Sequence, residues 1–154
     1  MIFDRDMFNR LYFTWFLEVY SQNKEIAIEA DRQVVPRVGK KMAQLIKEQI
    51  PGDTNTSDYM FNALKESHWF QEDVELVEKN DNYLVLQAKN CIFQEHWLKN
   101  TGELLYCCTG SHGRFLEEFC KEINPISKVE NLRGPTENPK DNVYCKWKIS
   151  INTK

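Results

Sequence analysis

No stretch of this sequence is apolar for long enough to span a membrane, and the opening Met1-Ile2-Phe3-Asp4-Arg5-Asp6 places acids where a secretory signal would carry positive charge. These two absences predict a cytoplasmic protein with no membrane partner. A basic stripe is missing as well: Lys and Arg stand singly or in pairs such as Lys40-Lys41, and the formal net charge is -3. Affinity for a phosphate backbone draws on clustered cations, so nucleic acid is not an expected partner. Signatures of common catalytic machinery are also absent. There is no P-loop, no Gly-x-Gly-x-x-Gly after a strand, no Gly-x-Ser-x-Gly elbow and no His-Glu-x-x-His, which sets aside nucleotide-dependent and serine-hydrolase chemistry. No compact Cys-x-x-Cys anchors a metal, so neither metal nor cofactor is expected; the alternative is a tetrahedral site drawn from Cys91, His96, Cys108 and His112. The five Cys form an odd set, which rules out a fully paired disulfide framework within one chain and fits a reducing compartment. Finally, no repeat, low-complexity tract or linker divides residues 1–154, which predicts one domain.

What is present is a large-ringed apolar complement, with Phe 9, Tyr 6 and Trp 4 among 154 residues. A chain of this length buries roughly two-thirds of its unfolded surface, enough for a core without cross-links. Residues 6–22 repeat Met7, Phe8, Leu11, Tyr12, Trp15, Phe16 and Val19 at helical intervals behind a capping Asp4 or Asp6. That face reads as core or dimer seam, or else as the aromatic wall of a ligand pocket. From about Lys24 to Gln49 a second helical series runs through Ile26, Ala27, Ala30, Val34, Val38, Met42, Leu45 and Ile46, with Pro36 predicting a kink or split near Val35. Pro51 to Asn55 reads as a loop, and Thr56 or Ser57 caps a third helix ending near His68-Trp69.

The period then changes to two. Residues 74–79 alternate, Asn80-Asp81-Asn82 supplies a turn, and Tyr83 to Lys89 alternates again, which predicts a β-hairpin. A helical stretch through Trp97 follows, then a longer one from about Gly102 to Glu122, interrupted at Gly110 and Gly113 and stopped by Asn124-Pro125. Strands at Lys128 to Leu132 and Val143 to Ile151 close the chain. The expected fold is α+β: N-terminal helices packed on an antiparallel sheet of about four strands in two hairpins, with a helix pair between the hairpins.

Several short motifs occur in a telling order: Asn90-Cys91-Ile92-Phe93, Gly102-Glu103-Leu104-Leu105-Tyr106-Cys107-Cys108, Ile123-Asn124-Pro125, Leu132-Arg133-x-x-Thr136 and Tyr144-Cys145-Lys146-Trp147. In this order the chain resembles the L-2-amino-thiazoline-4-carboxylic acid hydrolase family, and more distantly the four-vinyl reductase and phenol-sensor ligand-binding domains. The resemblance implies a small-molecule substrate or ligand, with Cys91, Arg133 and Thr136 at substrate-binding positions and a homodimer as a common arrangement. Two departures qualify it. The family's Cys-x-x-Asp becomes Cys107-x-x-Gly110 or Cys108-x-x-Ser111, and Arg133 stands where the sensor domains carry a zinc-binding Cys.

Opening a thiazoline or cyclic amidine needs a nucleophile or activated water, a proton donor for the ring, and a cation for a substrate carboxylate. Cys108 and His112 are four residues apart, a spacing that puts both on one helix face, where an imidazole favours the thiolate; Cys107 is the adjacent alternative. Arg133 or Arg114 supplies the two-pronged cation. Two expectations of function follow: hydrolysis of a thiazoline, amidine or related C–N bond, or non-catalytic binding of an aromatic or hydrophobic ligand.

Overall fold

The computed structural model describes residues 5–67, 69–70, 74–89, 99–100, 102, 112–134 and 143–152. Helix α1 spans Arg5–Gln22 and α2 spans Lys24–Gln49, joined by Asn23 alone. The connection is that short because Asn23 serves both helices. Its N–H donates to the Val19 carbonyl at 2.8 Å, and its side chain accepts from the Ile26 N–H at 3.1 Å as the N-cap of α2. Helix α3, Ser57–Glu66, starts on Thr56, whose Oγ1 accepts from the Tyr59 N–H at 3.2 Å. It ends at Ser67, slightly earlier than the pattern suggests.

Strands β1, Val74–Lys79, and β2, Tyr83–Ala88, form the expected hairpin; the Asn80 side-chain oxygen accepts from the N–H groups of Asn82 and Tyr83. Helix α4, His112–Ile123, precedes β3, Lys128–Arg133, and β4, Cys145–Ser150. All pairings are antiparallel, in the spatial order β1-β2-β4-β3. The fold is therefore α+β, with four helices and a four-stranded sheet among the described residues. Asn124 ties the end of α4 to the sheet: its backbone N–H closes the last turn on Cys120, and its Nδ2 donates to the Ile151 carbonyl at 3.2 Å.

Strand alternation divides the sheet into two faces. Leu84, Leu86 and Ala88 on β2 and Cys145, Trp147 and Ile149 on β4 share one core with Phe16 of α1, Ile46 of α2 and Phe115 and Phe119 of α4. Helix α4 lies on α2 and β3, and α1 lies on α2. None of the described helices is long and apolar enough to cross a membrane.

Three local expectations need correction. Helix α2 does not split at Pro36 but continues through it, because the ring removes one backbone donor while Val35, Gly39 and Met42 on either side of it stay buried. Gly113 does not interrupt α4 but lies inside its first turn, buried. The apolar residues of α1 also do not form one buried face. Phe13 and Phe16 are buried, whereas Met7, Leu11 and Trp15 are exposed, because the side of α1 that meets α2 carries Tyr12, Phe13, Phe16 and Tyr20. The helix through Trp97 and the part of the long helix before His112 lie outside the described residues.

Candidate functional site

Asp31 is the one acid in the buried series of α2, which otherwise consists of Ala27, Val35, Gly39, Met42, Ala43 and Ile46. It is 1% exposed, and a carboxylate taken from water costs several kcal/mol unless it is paired or hydrogen-bonded. Tyr12 on α1 meets that demand in part, donating its hydroxyl to Asp31 Oδ1 at 2.5 Å. The two helices therefore meet through a polar contact inside an aromatic seam. The Tyr12 ring stacks on Phe16 at 5.9 Å between centroids and touches Phe13 edge-on at 5.6 Å.

The other neighbour of Tyr12 is His112, the first residue of α4. Its ring stands edge-on to the phenol, with centroids 6.3 Å apart and an interplanar angle of 81°. His112 is 7% exposed. Burial pulls its pKa below the ordinary imidazole value, and the smaller electrostatic influences of Asp31 and Cys145 oppose that pull without reversing it. At neutral pH the ring is thus uncharged and able to accept a proton.

Tyr12, Asp31 and His112 come from three different helices, and Cys145 on β4 is near enough to act electrostatically on His112. Cys145 is buried on the helix-facing side of the sheet, in register with Ala88. Cys120 is different in kind: burial pushes its thiol pKa far up, which leaves a small hydrophobe in the core. A phenol, a carboxylate, a neutral imidazole and a thiol together can move a proton and activate a nucleophile.

Of the expected residues that are described, His112 is the one the structure brings into this cluster. Arg114 is exposed, two positions along α4 from the buried His112. Arg133 follows a bulge after Asn131 and pairs in register with Lys146, whereas Cys145 and Trp147 beside that lysine face the helices. Arg133 is half-buried, in phase with Val129 and Asn131 along β3. Cys91, His96, Cys107, Cys108 and Thr136 lie outside the described residues. Among the described residues no three His, Cys, Asp or Glu side chains converge as a metal site requires.

Tyr12 and Asp31 were not among the expected site residues. A signal for Asp31 was present: Ala27, Asp31 and Val35 are spaced by four, so the acid interrupts an apolar stripe at helical spacing. Tyr12 gave no such signal, because its ring satisfies an apolar pattern and its hydroxyl partner is on another helix. No protein-family model matches the chain, no curated protein matches it in sequence, and no solved structure matches its fold.

Proposed function

We propose that this chain is a cytoplasmic small-molecule hydrolase-like protein acting on a thiazoline, a cyclic amidine or a related C–N bond, with His112 as its base. The observation that supports the reading best is a neutral, buried imidazole beside Tyr12 and within reach of the Asp31 charge. Asp31 also supplies, from α2, a carboxylate of the kind that is missing from the Cys-x-x-Asp position in the sequence. In the reaction on a 2-amino-thiazoline, one water adds to the amidine carbon and His112 takes its proton. The water's second proton moves to the ring nitrogen, the ring C–S bond breaks, His112 passes its proton to the departing sulfur, and the single product carries both a urea and a free thiol. If a cysteine attacks first, Cys108 or Cys107, four and five residues before His112, is the nucleophile, and the same water later releases it.

A second reading is non-catalytic binding of an aromatic ligand. It is favoured by the stacked rings of Tyr12 and Phe16 on one side of the cluster. Incubating the protein with a panel of 2-amino-thiazolines, thiazolines and cyclic amidines separates the two readings. The hydrolase reading predicts new free thiol and a product mass raised by one water. The binding reading predicts thermal stabilisation that grows with ligand concentration as RT ln(1 + [L]/Kd), with the ligand recovered unchanged. A panel that yields neither product nor stabilisation contradicts both.

A further inference from the structure

We infer that Asp31, held by Tyr12, is a positioning residue for His112: its carboxylate, anchored in the core by the phenol, acts across the Tyr12 ring on the imidazole and sets its readiness to take a proton. The inference rests on the reading of His112 as a base. A working base needs an orienting group, and in this cluster the orienting contact is assembled from separate elements. Tyr12 spans the gap, since its hydroxyl is committed to Asp31 at 2.5 Å while its ring meets that of His112 in a T-shaped contact. All of this lies inside the core, where charge acts over longer distances than in water. Neither Tyr12 nor Asp31 contacts the reacting atoms in this account, so both act through His112.

Among the described residues, the charged and titratable groups seen to bear on His112 include Tyr12 on α1, Asp31 on α2 and Cys145 on β4. The two variants Asp31→Asn and Tyr12→Phe change this set in opposite senses. Asp31→Asn removes the negative charge while keeping an oxygen for the Tyr12 hydroxyl, which withdraws support from the imidazolium. Tyr12→Phe keeps the charge and the ring but removes the hydroxyl that partly offsets the carboxylate, so the charge acts on His112 more strongly.

The test is an NMR titration of the imidazole nitrogens in the full chain, with the His112 signal assigned by its loss in His112→Gln. The expected result is a His112 midpoint lowered by about one unit in Asp31→Asn and raised in Tyr12→Phe. A midpoint that stays put in both variants, or moves the same way in both, overturns the inference. If Asp31→Asn does not fold, Tyr12→Phe alone decides, and an unmoved midpoint there overturns it. The titration needs no substrate. Opposite shifts in a protein that hydrolyses nothing would therefore sink the hydrolase reading while upholding the relation between Asp31 and His112.

Discussion

Gly39→Val is expected to destabilise the protein by about 3 kcal/mol and to lower Tm by roughly 6–12 °C. Gly39 lies where α2 crosses α4. A Cβ placed there would come within 2.5 Å of the Phe115 carbonyl oxygen, 3.0 Å of the Phe115 ring and 3.2 Å of its carbonyl carbon. A ring can rotate away, but a backbone carbonyl inside a helix cannot. The two helices must separate, and Phe115, Leu116 and Phe119, all 0% exposed, lose contacts on the α2 side. Gly39→Ala meets the same carbonyl but gains about 1 kcal/mol of helix propensity, so its net effect is smaller. The neighbouring Lys40 is exposed, and Lys40→Val controls for the helix propensity of a branched residue. Scanning calorimetry of the three variants measures these differences. Equal Tm values for Gly39→Val and Lys40→Val would mean that α2 and α4 do not approach as closely as described.

Stability should also fall as pH drops below the ordinary imidazole value of 6.5. The folded pKa of His112 lies under that value because burial outweighs the electrostatic influences of Asp31 and Cys145. Between the two pKa values the unfolded chain binds a proton that the folded chain does not. The contribution is thus fully present above about pH 6.5 and is lost on acidification, with a slope approaching about 1.4 kcal/mol per pH unit. Glu75 acts in a different window. Hydrogen bonds from Lys89 and Gln87 hold its carboxyl below 4.5, so its support is present above that value and is lost only at lower pH. Urea unfolding between pH 5 and pH 8 therefore avoids the Glu75 window, and comparison with His112→Gln separates His112 from His68 and His96. In His112→Gln the slope in that range should flatten. The same slope in both proteins would mean that His112 is not held uncharged in the fold.

Much of the fold is legible in the sequence because its signals are local. The turn at Asn80-Asp81-Asn82, the stop at Asn124-Pro125, the cap at Thr56 and the alternation in β4 each depend on a few neighbouring residues, and each appears in the structure. Pro36 misleads for a physical reason: the interior of α2 is held from both sides by α1 and α4, and that tertiary packing tolerates one lost backbone bond. The α1 face misleads because periodicity reports an apolar stripe without saying which rings another helix will cover. Met7, Leu11 and Trp15 share the stripe yet stay exposed.

The candidate site was less legible, because its members are distant in sequence. Tyr12, Asp31, His112 and Cys145 are brought together only by the packing of α1, α2, α4 and β4, and spacing along one element cannot show this. His112 could be named in advance because thiols and glycines surround it in the sequence. The setting of Arg133 was not legible, because the register irregularity before it depends on how β3 pairs with β4. A lone acid in an apolar helix stripe is the signal most worth following in such a chain.

The most direct measurement of the central claim is thiol release from a 2-amino-thiazoline, with and without its 4-carboxylate, by the wild-type protein and by His112→Asn. The account predicts turnover by the wild type, a loss of at least about a hundredfold in His112→Asn, and an unchanged far-ultraviolet circular dichroism spectrum. Turnover that survives intact in a folded His112→Asn protein would contradict it, because the cluster around Tyr12, Asp31 and His112 would then have no part in the chemistry.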